Sequence, residues 1–187
     1  MLHMTKSVLE LEGDIAECGV YRGGTLIPLG LYLAQNNIKK KIFGFDSFAG
    51  FGDQARLDPI EQAYVRRYGS CTDTSCEFVQ AKIDQLNLSR QIVLIEGYFD
   101  TSLNAVKDKR FCFLHLDCDL YESYKVCLNF FYNRMVTGGV ILFDEYNDSP
   151  CPGCNRAVDE FLMDKPEKPI EISSDNYVRC YIRKSES

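Results

Sequence analysis

Acidic residues follow two strongly apolar segments of the chain. Asp117 and Asp119 occur in HLDCDLYES, and Asp144 and Glu145 occur in LFDEY. If the two segments form neighbouring parallel strands, which lie about 4.8 Å apart, these carboxylates converge at one end of a sheet. Packed carboxylates repel one another, which raises at least one pKa unless a cation compensates. Oxygen-only ligation suits Mg²⁺, so the pattern predicts a magnesium site.

Helix capping is the alternative interpretation of part of this cluster. Asp119 and Glu122 lie beside a predicted helix over 121–134, and acidic side chains are favoured at helix N-termini. The alternative applies most directly to Asp119.

A second candidate site is the turn in GDIAECGVYRGG, residues 13–24, where a predicted strand runs into a helix that begins near Thr25. Glycine permits positive φ angles and close approach of a ligand to the backbone, and a helix N-terminus offers free N–H groups. The glycines in question are Gly19, Gly23 and Gly24. Their spacing matches neither the dinucleotide-binding fingerprint nor a P-loop. Tight packing of strand against helix is an equal alternative.

The ends of the next two predicted strands extend this site. Asp46 lies 27 residues after Gly19, where an acidic residue commonly accepts hydrogen bonds from the ribose of an adenosine-bearing cofactor. The alternative is that Asp46 or Ser47 caps a helix. Gly97 and Tyr98, in EGYFD, are candidates to border the adenine ring.

The cysteines and histidines favour structural roles. Five of the nine cysteines lie in apolar runs, where a free thiol behaves as a small hydrophobic group: Cys18, Cys112, Cys118, Cys127 and Cys180. Cys151-Pro-Gly-Cys154 opens a predicted helix, as in redox dithiols, but a rigid loop is the favoured interpretation. His3 near the N-terminus and His115 within an apolar segment do not indicate a catalytic histidine.

Alternating apolar runs and helical patterns predict an α/β fold with a mostly parallel sheet and helices on both faces. The predicted strands are 15–20, 41–46, 92–97, 111–117 and 138–145, and the predicted helices are 24–36, 75–87, 121–134 and 154–164. IEISS and YVRCYIRK flank Asp175-Asn176 and predict a C-terminal antiparallel hairpin. Residues 50–74 are predicted to form a long loop with a short helix near 61–68.

Composition limits the functional classes. The chain has 187 residues, 45% of them hydrophobic, and a net charge of −6 without a basic stripe, so we expect one domain over 1–187 and no nucleic-acid partner. Its apolar runs are too short to span a bilayer, and the start lacks a secretory signal. These features predict a cytoplasmic protein that does not insert into membranes.

The sequence resembles the macrocin O-methyltransferase family, whose members methylate sugar hydroxyls of macrolide and aminocoumarin antibiotics. The resemblance extends over about 160 residues through segments that occur in the family's order: GDIAECGVYRGG, FGFDSFAGF, EGYFDTSL, LDCDLYES, GGVILFDEY and CNRAVDEF. It implies a Rossmann-like class I methyltransferase fold that uses S-adenosylmethionine and Mg²⁺.

The resemblance also implies roles for individual residues. The methionine end of the cofactor would lie against Glu17, Gly19, Val20, Tyr21 and Gly23. Asp46 and Ser47 would hold the ribose. Asp117, Asp144 and Glu145 would bind Mg²⁺, and Asp119 would act as general base.

Two departures from the family pattern affect these expectations. Family members usually carry a longer N-terminal region that covers the active site and contributes to contacts between copies, so substrate capture and homo-oligomer formation are left open here. Glu145 replaces a frequent aspartate, which lengthens the ligand arm by one methylene and keeps its oxygens. Metal binding is expected to survive this change.

The sequence therefore predicts Mg²⁺-dependent transfer of the methyl group of S-adenosylmethionine to a hydroxyl of a sugar or a similar vicinal-hydroxyl small molecule. A catechol-type acceptor fits the same metal chemistry. The alternatives are a non-catalytic module that binds a cofactor or partner, and a thiol-redox protein that uses Cys151 and Cys154.

Overall fold

The computed structural model describes residues 1–52, 57–147, 151–174 and 177–186. The chain divides into two compact units. Residues 15–107 form one unit, and residues 1–14 together with 108–187 form the other. The helices are α1 (Leu2–Lys6), α2 (Leu26–Gln35), α3 (Pro59–Tyr68), α4 (Cys76–Gln85), α5 (Phe99–Ser102), α6 (Tyr121–Phe131) and α7 (Pro152–Leu162). The strands are β1 (Asp14–Cys18), β2 (Ile42–Asp46), β3 (Ile92–Glu96), β4 (Phe111–Leu116), β5 (Met135–Phe143), β6 (Ile170–Ser174) and β7 (Tyr177–Arg183).

In the 15–107 unit, β2 lies between β1 and β3 and is parallel to both. Gly44 allows close packing on β2, because a Cβ atom there would lie 2.8 Å from Val20 Cγ2 and 3.0 Å from Leu26 Cδ1. Asp58 caps α3 by accepting hydrogen bonds from two backbone N–H groups, with Pro59 at the first helical position, a common start signal.

The 108–187 unit holds four strands in the order β4-β5-β7-β6. All six residues of β4 are buried, as expected for a parallel strand covered on both faces. β4 is parallel to β5, with Leu116 paired with Phe143. β7 is antiparallel to both β5 and β6, which confirms the predicted C-terminal hairpin. Its predicted turn, Asp175-Asn176, lies outside the described residues.

The five predicted parallel strands are present, with shifted boundaries. β5 begins at Met135, three residues before the predicted start, because the register with β4 shifts between Phe111 and Phe113 and lets an extra segment pair. α3 begins two residues earlier than predicted and α7 both begins and ends two residues earlier. The short helices α1 and α5 were not predicted, since four or five residues are too few to show helical periodicity.

No helix in the described ranges has the length and apolar character needed to cross a membrane.

Candidate functional site

The turn after β1 has unusual backbone conformations. Gly19 and Gly23 have φ angles of 97° and 78°, and Tyr21 between them has a φ of 50°. Glycine adopts positive φ without steric cost, whereas a tyrosine there requires support from its surroundings. Gly24 has no positive φ, so Gly19 and Gly23 are the glycines that the turn requires.

Asp46 supplies that support. Its Oδ2 accepts hydrogen bonds from the backbone N–H groups of Val20 and Tyr21 at 2.9 and 2.7 Å. Its Oδ1 accepts from the N–H of Phe48 at 2.8 Å. An ionised carboxylate offers about four acceptor positions, so these three bonds leave one for a hydroxyl of a bound molecule. Asp46 therefore stabilises the turn, and one acceptor position is left for the predicted ribose contact.

Ser47 also bonds locally. Its hydroxyl donates to Gly50 O at 2.7 Å and accepts from the N–H of Ala49 at 3.1 Å. Because no helix begins within the described residues 47–52, the helix-cap interpretation of Asp46 and Ser47 is wrong. The two side chains stabilise a turn instead.

Asp73, which was not predicted from the sequence, stabilises the glycine turn through contacts with Tyr21 and Arg22. The Tyr21 hydroxyl donates to Asp73 Oδ1 at 2.6 Å, and the Arg22 guanidinium pairs with Asp73 Oδ2. The Thr74 hydroxyl donates to the carbonyl of Tyr21 at 3.0 Å. No local pattern in the 50–74 segment distinguishes Asp73 from the other charged residues, so the sequence gives no signal for this contact.

The other predicted cofactor residues occupy the same unit. Glu17 is buried on β1 beside Gly44 of β2. Gly97 follows β3 with a φ of 130°. Tyr98 is 48% exposed, and a Cβ atom on Gly52 would lie 3.3 Å from its ring. About half of the side chain is therefore open to solvent.

The acidic cluster lies in the other unit, where β4 and β5 end side by side. One oxygen each of Asp117, Asp144 and Glu145 lies within 4.8 Å of the others. Oxygens that share one Mg²⁺ lie no more than about 4.2 Å apart, twice the bond length of about 2.1 Å, so small side-chain movements would suffice. Within the described residues, the buried Oε1 of Glu145 has no hydrogen-bond partner. The donor set and this orphaned oxygen fit a divalent cation.

The electrostatics of the cluster show a shortage of positive charge. Burial raises the pKa of Asp117 to about 7, with His115 opposing the shift and the charge of Asp144 adding to it. Burial and the charges of Asp117 and Asp119 raise the pKa of Glu145 well above its ordinary value. The cluster would hold protons at neutral pH unless a cation replaced them.

Asp144 differs from its neighbours because an arginine and a histidine contact its carboxylate directly. Burial would raise its pKa, but His115 and Arg179 outweigh burial and the pKa is lowered. Arg179 Nε donates to Asp144 Oδ1 at 2.7 Å, and His115 Nε2 lies 3.4 Å from the same oxygen. Sequence reasoning missed both residues. The position of Arg179 depends on the register of β7 against β5, in which Cys180 pairs with Phe143.

Asp119 precedes α6 with a φ of 61°, in the left-handed region that aspartate tolerates better than most residues. Leu120, rather than Asp119, is the residue that flanks the helix, and no side chain makes a capping hydrogen bond there. Helix capping therefore does not explain Asp119. The half-buried side chain remains the predicted general base.

Cys151 and Cys154 are both buried. The Cys154 thiol donates to the carbonyl of Asp119 at 2.7 Å. A hydrogen bond with Cys151, together with burial, raises the pKa of Cys154. Redox dithiols have lowered thiol pKa values and are accessible, so these two properties argue against the thiol-redox alternative.

The fold is that of a Rossmann-like methyltransferase. The structure of the O-methyltransferase NovP superposes with a TM-score of 0.85 at 26% identity, covering 98% of this chain and 77% of that one. The sequence profile of the macrocin-O-methyltransferase (TylF) family matches residues 3–181. The chain belongs to this family, as the sequence resemblance predicted.

Two curated relatives show the range of the family. The demethyldecarbamoylnovobiocin O-methyltransferase of Streptomyces niveus is 31% identical over 170 residues, which is 87% of this chain and 64% of the relative. The mycinamicin III 3''-O-methyltransferase of Micromonospora griseorubida is 29% identical over 168 residues, which is 85% of this chain and 65% of the relative. The chain thus spans slightly less than two thirds of the length of either relative.

Proposed function

We propose that this chain is an S-adenosylmethionine-dependent and Mg²⁺-dependent O-methyltransferase that acts on a hydroxyl of a sugar or a similar vicinal-hydroxyl small molecule. The observation that carries the proposal is the cluster of Asp117, Asp144 and Glu145, in which one oxygen from each residue lies within 4.8 Å of the other two. Glu145 also has a buried oxygen, Oε1, without a partner among the described residues. A site of this kind suits a cation that shares its coordination with substrate oxygens.

The substrate class is supported by the relatives. Their names describe methyl transfer to oxygen on novobiocin and mycinamicin precursors, and another relative, from Streptomyces olivaceus, acts at the 4'-oxygen of a rhamnosyl-tetracenomycin. Sugars with adjacent hydroxyls present two oxygens to one cation. We therefore propose an acceptor with a vicinal diol or an equivalent pair of oxygens.

In this proposal each unit has a distinct task. Gly19, Tyr21 and Gly23 shape a turn whose backbone would bind the methionine part of S-adenosylmethionine, the donor of the methyl group. Asp46 would use its remaining acceptor position for a ribose hydroxyl, and Tyr98 would border the adenine.

The acidic residues have the second task. Bound Mg²⁺ would lower the pKa of the acceptor hydroxyl and orient it. Asp117, Asp144 and Glu145 would hold the ion. Asp119 would accept the proton of the acceptor hydroxyl, in the manner of general base catalysis.

Binding and chelation test the proposal. Calorimetry should give micromolar affinity, about 8 kcal/mol, for S-adenosylmethionine or S-adenosylhomocysteine. Methyl transfer from labelled cofactor to a panel of vicinal-diol sugars and antibiotic aglycone glycosides should stop in excess chelator and resume with added Mg²⁺. Asp144→Asn should weaken Mg²⁺ binding while leaving cofactor binding unchanged.

Two results would contradict this proposal in separate ways. Folded protein that gives no heat with either cofactor form would exclude methyl transfer and favour a non-catalytic module. Full turnover in excess chelator would exclude the metal and leave methyl transfer intact.

A further inference from the structure

Tyr124 connects α6 with the acidic cluster. Its side chain is fully buried, and its ring centroid lies 6.4 Å from that of Phe143, the last residue of β5. Its hydroxyl lies 3.0 Å from the carbonyl of Leu116, the last residue of β4, and makes a second hydrogen bond with Glu145 Oε2. A helix side chain thus reaches the ends of both strands that carry the carboxylates.

The protons available at this point decide which bond matters. A phenol has one proton to donate, while Leu116 O and Glu145 Oε2 both face the Tyr124 hydroxyl. The Leu116 carbonyl already accepts a hydrogen bond from the backbone N–H of Asp144 at 2.9 Å. It does not need the phenol proton, which is therefore available to an ionised Glu145.

The two oxygens of Glu145 consequently have different surroundings. Oε2 is bonded to Tyr124, whereas the buried Oε1 has no partner in the part of the chain that the structure describes. A glutamate on a flexible arm would otherwise be free to present either oxygen or both. Anchoring one oxygen selects the other for a ligand.

We propose that Tyr124 is a positioning residue of the metal site: its hydroxyl holds Oε2 of Glu145 and thereby presents Oε1 to the cation. This inference rests on the proposed function, in which Glu145 is a metal ligand. Tyr124 itself would not touch the ion. Removing such an outer hydrogen bond commonly lowers metal affinity by about 10- to 100-fold.

The chain offers a matched control in Tyr132. Its hydroxyl donates to Glu167 Oε2 at 2.8 Å, in a buried pair in the same unit. Glu167 is bonded on its other oxygen by the backbone N–H and hydroxyl of Ser185 and does not belong to the acidic cluster. Tyr124→Phe and Tyr132→Phe therefore remove the same chemical group from two buried tyrosine–glutamate pairs, with one pair at the cluster and one elsewhere.

The experiment is calorimetric titration of wild type and both variants with MgCl₂ and, separately, with MnCl₂. Tyr124→Phe should weaken binding of both ions about 10- to 100-fold, and Tyr132→Phe should remain within about twofold of wild type. In a Glu145→Ala background, Tyr124→Phe should cause no further loss, since its effect passes through Glu145.

The possible results separate this inference from the proposed function. Wild-type protein that binds neither ion would overturn the metal site and this inference with it. Wild-type binding combined with unchanged binding by Tyr124→Phe would overturn the inference alone. Equal weakening by Tyr132→Phe would also overturn it, because the effect would then be a general loosening of the unit.

A second measurement applies if Tyr124→Phe does not fold. 3-Fluorotyrosine at position 124 keeps the ring and the hydroxyl, and its ¹⁹F resonance should shift as Mg²⁺ is added, whereas the same label at position 132 should not shift. A resonance at 124 that stays unmoved while calorimetry shows Mg²⁺ binding would contradict the role of Tyr124.

Discussion

The glycine turn and the acidic cluster both place carboxylates at the ends of parallel strands, yet the two regions treat the charge differently. Asp46 accepts three backbone hydrogen bonds from Val20, Tyr21 and Phe48. In the acidic cluster, burial raises the pKa values of Asp117 and Glu145. A carboxylate satisfied by backbone N–H groups mainly stabilises the fold, whereas crowded carboxylates without enough donors mark a place where an external cation would lower the energy.

The largest expected effect is a loss of turnover in Asp119→Asn, a variant of the acidic region. If Asp119 accepts the substrate proton, kcat should fall by about 10²-fold or more, while the affinities for cofactor and Mg²⁺ stay unchanged. Steady-state methyl transfer measures kcat, and calorimetry measures the affinities for cofactor and Mg²⁺. Glu122→Gln is the matched control, since Glu122 is an exposed acidic residue in the first turn of α6. A kcat within threefold of wild type would remove Asp119 from the chemistry.

Asp46→Ala should have the next largest effect, on folding. The change leaves the N–H groups of Val20, Tyr21 and Phe48 without their acceptor, at a cost of about 2–3 kcal/mol in the free energy of unfolding. Urea denaturation measures this loss. Asp58→Ala, which removes the cap of α3, should cost about 1 kcal/mol. Equal losses in the two variants would show that Asp46 is only an ordinary turn residue.

Asp117→Asn should stabilise the metal-free protein, whereas Asp46→Ala should destabilise it. Because the folded pKa of Asp117 is raised to about 7, the folded state binds more protons than the unfolded state between about pH 4 and 7. The contribution of the Asp117 carboxyl to the free energy of unfolding is fully present below about pH 4 and is lost as the pH rises through about 7. The variant should therefore be more stable than wild type at pH 8, by about 1–2 kcal/mol.

Thermal melting from pH 4 to 8, with chelator and then with Mg²⁺, checks this prediction. Mg²⁺ should stabilise wild type more than Asp117→Asn, because only the intact cluster offers all three carboxylates. If the variant melts below wild type at pH 8 in chelator, the carboxylates are not in mutual repulsion and the contrast with Asp46 disappears.

The cysteines should give the smallest effect. In the double variant Cys151→Ser and Cys154→Ser, a hydroxyl replaces the Cys154 thiol that donates to Asp119 O, so methyl transfer should stay within about twofold of wild type. Cys154→Ala removes the donor and should lower kcat a few-fold. A large loss in the serine variant, with folding intact, would reopen the redox alternative.

Much of the fold could be predicted because the signals are local. The apolar runs of β4 and β5 and the two β-prone segments around 175–176 follow from strand burial and turn composition. Gly19 and Gly23 could be selected because positive φ is a property of single residues. The helices α1 and α5 could not be predicted, since neither is long enough to show helical periodicity.

The candidate sites could be predicted only as groups of residues. Acidic residues at the ends of neighbouring strands indicated the cluster, and the structure brings Asp117, Asp144 and Glu145 together. Their individual states could not be read from the sequence. Asp144 has a lowered pKa because Arg179 and His115 contact it directly, whereas burial is the largest influence at its two neighbours and raises their pKa values.

The sequence by itself determined which residue types stand at each strand end, since strand alternation and glycine placement are encoded within a few neighbouring positions. The tertiary structure decided which side chains meet them. Arg179 lies 35 residues from Asp144, Tyr124 lies 21 from Glu145, and Asp73 lies 52 from Tyr21. Such pairs depend on strand register, helix placement and loop path, so they exist only once the whole unit has packed.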